Sequence, residues 1–476
     1  MGSEWKTTKL LEHYEIRSGL SKPAKDFGSG YPFLTFKDVF YNYFTPDKFG
    51  DLVQSNDKER ENCSVKRGDV FLTRTSETMH ELGMSSVALK DYENATFNGF
   101  CKRLRPTQQS ELLPEYVGYY LRSSIFRQAM LAFSTMSTRA SLNNGMIGRL
   151  EISYPPKMEQ AKIAAILKNL DDKITLNRQI NQTLEQMAQT LFKSWFVDFD
   201  QVIDNALDAG FFEQDLAFSE ELLRRVEVRK AVRENGNFKP LPEDIRQLFP
   251  NAFEECAEPT LGLGGWVPKG WLEVKLSDLV DSVSKTYPLK TVEEVIFLNT
   301  GDIENGSFLH TTYSPVNGLP GQAKKSIQKG DILFSEIRPK NKRFAFVSFE
   351  SNDYVVSTKL MVLRAKNNFH PLFAYFLLTL NETTDKLQRI AELRSGTFPQ
   401  ITFNELSLIK FAFPVVDSIV ELFSISYLKP FFEKNLLNRQ ENESLTKLRD
   451  TLLPKLISGE LSLSELKIDI PEETLI

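Results

Sequence analysis

The chain has 476 residues, enough for two or three domains that each bury a core, and its composition, with 41% hydrophobic residues and a net charge of −5, is that of a globular protein. No apolar run approaches the roughly 18 residues of a membrane span, and there is no charged-then-apolar leader or acylation pattern, so a cytoplasmic location is expected. Only Cys63, Cys101 and Cys256 occur, odd in number and far apart, which speaks against a disulfide framework and a thiolate metal site.

Residues 1–157 carry 21 basic and 18 acidic residues, a small positive excess that permits a basic surface without identifying one. Their elements read as short strands at Asp69–Thr73, Ser85–Leu89 and Phe100–Leu104, followed by a helix over Leu113–Ala132. A hydroxyl- and amide-rich loop, Ser134 to Asn144, closes this part.

From residue 158 to 199 the pattern turns helical. Ile163, Leu167, Leu170, Ile174, Asn177, Asn181, Leu184, Ala188, Leu191 and Trp195 step by fours and threes, a heptad seam. Residues 200–264 form an insert, read as a linker or a short helical platform. From Asp198 to Glu258 the count is 15 acidic to 7 basic.

Residues 265–415 return to strands, at Gly330–Phe334, Phe344–Phe349 and a long run Val355–Leu363, with a helix over Leu372–Ala391. A second helix occupies 416–461, with Leu428, Phe431, Asn435, Asn438, Asn442, Leu445, Leu452 and Leu456 along its seam. Pro430 is expected to start or kink it, because proline lacks the N–H and crowds the preceding turn. Residues 462–476 are a tail.

The chain is therefore written twice. Asn177-Arg178-Gln179-Ile180-Asn181 returns as Asn438-Arg439-Gln440-Glu441-Asn442, 261 residues on; Lys66-Arg67-Gly68-Asp69 returns as Gln328-Lys329-Gly330-Asp331 at 262; Trp5 with Lys9-Leu10 returns as Trp271 with Lys275-Leu276 at 266. The class is α+β: two mixed domains with two long antiparallel coiled-coil helices and an internal pseudo-two-fold repeat. Asn177 corresponds to Asn438 and Asn181 to Asn442, so both seams carry asparagines suited to fixing register at some cost in stability.

Catalytic chemistry is missing from the sequence. There is no phosphate-cradling G-x-x-x-x-G-K-[ST], no dinucleotide fingerprint, no H-E-x-x-H and no [DNS]-P-P-[YF] tetrad. The four histidines are isolated, and no metal ligand set is expected. What the two mixed parts offer instead is cations beside amides and hydroxyls in loops, the residue types that contact phosphates and read base edges. The candidates for DNA contact are Arg74, Arg139, Asn143 and Asn144 in the first copy, and Arg338, Lys340, Asn341, Lys342, Arg343, Arg394, Thr397 and Gln400 in the second. Both copies place a polar loop in the same slot, Ser134–Asn144 and Arg394–Thr402, with different residues.

This order of head, Asn-Arg-Gln-x-Asn helix, head and Asn-Arg-Gln-x-Asn helix resembles the DNA specificity subunit of type I restriction-modification systems. Gln160-Ala161-Lys162-Ile163-Ala164, Leu191 to Asp200, Val267-Pro268-Lys269-Gly270-Trp271 and Lys455 to Leu461 carry the likeness. The second helix departs from it, beginning Val415-Val416-Asp417 without the usual Glu-Gln. The resemblance implies a non-catalytic chain whose two target-recognition domains each read one half of a bipartite DNA site and are held apart by the helix pair. It implies two methyltransferase subunits that bring S-adenosylmethionine, no cofactor on this chain, and a nuclease/translocase subunit. The alternative is a duplicated protein-interaction scaffold without sequence-specific DNA binding.

Overall fold

The computed structural model describes residues 5–76, 81–132, 140–366, 369–394, 396–415 and 417–461. Two compact units divide it: the first combines residues 1–179 with 438–476, the second is residues 180–437. The tail from 462, Arg139 and most of the Ser134–Asn144 loop lie outside the described residues.

The repeat seen in the sequence is a repeat of topology. In the first unit an antiparallel sheet runs in the order Tyr14–Ser18, Cys101–Pro106, Val70–Thr73, Ser85–Val87. In the second the order is Val280–Val283, Leu360–Ala365, Ile332–Ser335, Phe344–Phe346. A smaller sheet in each contains one parallel pair, Phe27–Leu34 with Thr96–Phe97 and Glu294–Leu298 with Tyr354–Ser357. A two-stranded ribbon closes each copy, Lys6–Lys9 with Glu151–Tyr154 and Leu272–Lys275 with Lys410–Phe413.

The recurring Gly-Asp block has a structural cause. Gly68 and Gly330 hold φ of 85° and 92°, a backbone state that favours glycine, and each turn delivers a fully buried aspartate, Asp69 or Asp331. Asp69 accepts from the Lys66 N–H at 2.7 Å and from Arg105 Nε and Nη2 at 2.7 and 2.6 Å. Asp331 accepts from the Gln328 N–H at 2.8 Å and from Arg364 at 2.7 and 2.9 Å. These two-pronged arginine clasps are strong because both partners are charged and planar.

Three elements differ from the sequence expectation. The run Val355–Leu363 is two strands in two sheets, split at Thr358-Lys359 where the Ser357 hydroxyl accepts from the Lys359 N–H. The helix expected over Leu113–Ala132 is two, Pro114–Tyr120 and Ser124–Ala132. The Ser123 hydroxyl donates to the Tyr120 carbonyl and accepts from the Phe126 N–H, ending one helix and capping the next. The helix over Leu372–Ala391 divides likewise into Pro371–Thr379 and Asn381–Arg394.

The central helix is Lys157–Phe196, 40 residues. The distal one is Lys429–Ser458, preceded by a helical stretch Asp417–Phe423 and a π-helical turn Ser424–Leu428. Pro430 is the second residue of the helix that follows that turn. A wider turn accommodates the missing donor and the ring that would crowd an α-helical carbonyl.

Within the first unit, Asn177 donates to Asn442 Oδ1 at 3.0 Å and to Glu441 Oε2 at 2.7 Å, and Arg449 Nη1 donates to Asp171 at 2.7 Å. The partners run in opposite directions, so the segments are antiparallel. In the second unit Asn181 Nδ2 donates to the Asn435 carbonyl at 3.1 Å. Asn177 and Asn438 are both buried.

The insert is a folded platform and not a loose linker. Helix Asp200–Asp208 and helix Glu220–Glu234 lie side by side. Asp200, Asp204 and Asp208 pair with Arg225, Arg229 and Arg233, while Arg246 also reaches Asp208. Four-residue spacing on both helices puts each set on one face. Val202, Ile203, Phe211, Leu222, Val226 and Phe249 join Phe192, Trp195 and Phe199 in one core. Its entrance is the corner Lys193–Asp200: Lys193 Nζ donates to Asp198, Ser194 Oγ donates to Asp200, and Phe199 turns the chain at φ 51°.

Candidate nucleic-acid interface

Backbone hydrogen bonds define the same slot in each copy. In the first, the Arg74 N–H donates to the Phe100 carbonyl and the Arg74 carbonyl accepts from the Leu142 N–H, both at 2.8 Å. In the second, the Glu336 N–H donates to the Lys359 carbonyl at 3.1 Å and the Glu336 carbonyl accepts from the Ile401 N–H at 2.9 Å. Thr75-Ser76 then pairs with Ala140-Ser141, as Ile337 pairs with Gln400. Arg74 thus corresponds to Glu336 and Phe100 to Lys359.

In the second copy the slot carries a strained basic loop. Arg338 and Lys342 both lie in the left-handed region, at φ 44° and 53°, a cost tolerated where surrounding structure imposes it. The Arg338 N–H is held by the Pro399 carbonyl at 3.1 Å, and the Asn341 N–H by the Arg338 carbonyl at 2.8 Å. The side chains of Arg338, Lys340 and Asn341 are exposed and make no hydrogen bond or ion pair with described residues, leaving them available for a phosphate or a base edge.

Arg343, Lys342, Arg394, Gln400 and Asn143 are engaged within the protein. Arg343 Nη1 donates to the Ile303 carbonyl at 3.1 Å and lies 3.5 Å from Glu304, fastening the hairpin of Ile303–Glu304 with Ser307–Phe308. Lys342 Nζ donates to Asn381 at 3.0 Å, and Arg394 is ion-paired with Glu405 at 2.5 Å. Gln400 Oε1 faces Lys359 Nζ at 3.5 Å, and Thr397 is exposed. In the first copy Asn143 caps the short helix Asn144–Ile147, its Oδ1 accepting from the Met146 N–H at 2.9 Å. Asn144 is exposed at the first position of that helix.

The slot also brings in residues that sequence patterns passed over. Phe100 is 59% exposed beside Arg74, and Phe398 is 63% exposed in the second copy. Lys102, on the adjoining strand, donates to Ser18 Oγ at 2.9 Å; burial and the neighbouring Arg74 charge lower its pKa. The one sequence signal for Phe100 is an aromatic directly after Asn98-Gly99, a turn that leaves it outside the core.

The chain is thus built from two copies of one α+β scaffold, each with an equivalent loop slot of different chemistry. The chain matches the family described as "Type I restriction modification DNA specificity domain" over residues 2–186 and 268–447, and it belongs to that family. It is similar to the Type I restriction enzyme HindI specificity subunit of Haemophilus influenzae, 44% identical over 183 residues, which are 38% of this chain and 39% of that protein. The Type I restriction enzyme MjaIX specificity subunit of Methanocaldococcus jannaschii is 24% identical over 477 aligned positions, covering 97% and 95% of the two chains. In fold it is similar to the type I restriction-modification S subunit from M. genitalium, with a TM-score of 0.52 at 14% identity over 95% and 96% of the chains. Among the described residues no helix is long and apolar enough to cross a membrane, and no group of three or more His, Cys, Asp or Glu could hold a metal ion.

Proposed function

We propose that each head reads one half of a bipartite, asymmetric DNA site, and that the chain directs adenine methylation by methyltransferase subunits and cleavage by a nuclease/translocase subunit without catalysing either step. The observation that supports this reading most is the equivalent slot: identical backbone ties in both copies, carrying Arg74 and Phe100 in one and Glu336 and Lys359 in the other. One scaffold with divergent loops is what reading two different half-sites requires. S-adenosylmethionine belongs, in this reading, to the methyltransferase.

The test is long-read detection of N6-methyladenine in cells carrying the methyltransferase with this chain and without it. A split motif that depends on the chain is the expected result. No new methylation from an assembled complex would instead favour a protein-interaction scaffold.

The paired helices give the reading a length scale. If they set the spacing of the half-sites, inserting four residues near Leu184–Met187 adds about 6 Å of helix, close to two base pairs. The unmethylated spacer between the half-sites should lengthen accordingly; an unchanged spacer would remove the helices as its determinant.

A further inference from the structure

Away from the recognition slot, the first head contains a polar cavity of about 330 Å³ lined by Arg17, Asn62, Ser64, Lys66, Arg103 and Arg105. Arg103 is its unusual member. The residue is only 2% exposed, its Nη1 donates to the Ser64 carbonyl at 2.6 Å, and its Nε is buried without a partner. No carboxylate lies within ion-pair distance of it among the described residues. The clasp with Asp69 already belongs to Arg105. Directly across the strand pair stands Arg17, whose nearest fixed contact is the neutral Asn62 Oδ1 at 3.2 Å. Like charges facing each other across strands are unfavourable, and a buried cation without a counter-ion is costly.

The second head shows that the fold does not need this arrangement. Its sheet has the same register, with Arg364 opposite Asp281 as Arg105 is opposite Glu15. At the position of the Arg17–Arg103 pair it carries Val283 opposite Val362, an apolar pair whose Val362 is fully buried. Two arginines therefore replace two valines on a common scaffold, and one of them is buried with an unsatisfied donor. Glu15 and Glu61 also line the cavity; with Asp69 they leave the four cations one charge in excess.

We propose that this cavity binds a phosphate group, held between the Arg103 and Arg17 guanidiniums with Lys66 as a further donor. A phosphate supplies both the missing charge and acceptors for planar arginine donors. The group could come from a small phosphate-bearing solute or from a DNA backbone. Only the second source rests on the proposed DNA reading.

The test uses the full chain and three variants: Arg103→Val, Arg17→Val and the exposed, conservative Arg17→Gln, which guards against failure of the buried variant to fold. With inorganic phosphate as probe, the parent protein should show a saturable rise in Tm of about 3 °C or more at ten times Kd, absent from the variants. That result supports the pocket with a small-molecule source. If phosphate is without effect but the variants weaken binding to a mixed-sequence duplex and reduce its salt slope by about one, the pocket is supported with DNA as source. Unchanged behaviour of the variants in both assays overturns it. Methylation directed by the chain would in that case still stand on its own test.

Discussion

The two heads share a backbone and differ in what they present on it. The Gly-Asp turn, its arginine clasp, the strand order and the two hydrogen bonds at the slot are common to both. Arg74 and Phe100 against Glu336 and Lys359, and Arg17–Arg103 against Val283–Val362, are not. Residues that satisfy buried polar groups are held in common, because losing one leaves a charge stranded in the core. Residues that face a partner can diverge, because only the partner registers the change.

The largest effect should come from breaking what the heads share. Arg105→Ala and Arg364→Ala each leave a fully buried aspartate without its counter-ion, and each should cost about 3 kcal/mol or more in urea unfolding. Equal losses in both heads are expected; tolerance in one would show that the clasp is not a common structural need.

Changes at the slot should instead act on one half-site at a time. Arg74→Glu, which gives the first head the second head's residue, should weaken or alter only one half of the methylated motif, at about 1–3 kcal/mol for each base edge no longer bonded. Loss of both halves together would mean that the slot supports the fold instead of reading DNA. Arg338→Ala with Lys340→Ala should lower the salt slope of DNA binding by about one for each phosphate no longer neutralised. Arg343→Ala should act mainly on stability, since Arg343 fastens the Ile303 hairpin.

In the helix pair, replacing Asn177 and Asn442 together with leucine should raise stability by about 1 kcal/mol while loosening register, as expected when a polar seam pair becomes apolar. A lower urea midpoint would show that the hydrogen bond between them is worth more than the apolar packing.

The smallest effect concerns pH and again separates the heads. His13 is buried, and burial holds its pKa below the ordinary 6.5 despite Glu12 and Glu111 nearby. The folded chain then stays neutral at His13 while the unfolded chain takes up a proton. Stability present above pH 6.5 is lost as pH falls through 6.5 toward the folded pKa. The second head has Leu279 at this place, the last residue of the matching short helix. His13→Leu should flatten the acid side of the stability profile, and an unchanged profile would place the labile group elsewhere, His370 being the next candidate.

Particular residues mark how far local sequence reaches. The Gly68-Asp69 and Gly330-Asp331 blocks were legible as a repeat, because a positive-φ glycine and a buried aspartate allow few substitutes. The heptad seam was legible because Ile163, Leu167 and Ile174 bury at helical spacing. At the slot, Arg338, Lys340 and Asn341 are exposed as a polar loop should be, yet Arg343, Lys342 and Arg394 in the same neighbourhood are tied to Ile303, Asn381 and Glu405. Those partners lie 11 to 40 residues away in the chain, beyond any local pattern.

By itself, the sequence determined the duplication, the α+β class, the two long helices and the family, since each is written in local spacing or in short recurring words. Tertiary structure alone decided that the acidic insert is a platform laced by Asp–Arg pairs, that Val355–Leu363 crosses between two sheets, and that Arg17 faces Arg103. Periodicity reports which side of an element is buried; it does not report what it is buried against. Pairing across strands and helices is set by closure of the whole chain, and that is where the partner of each charge is chosen.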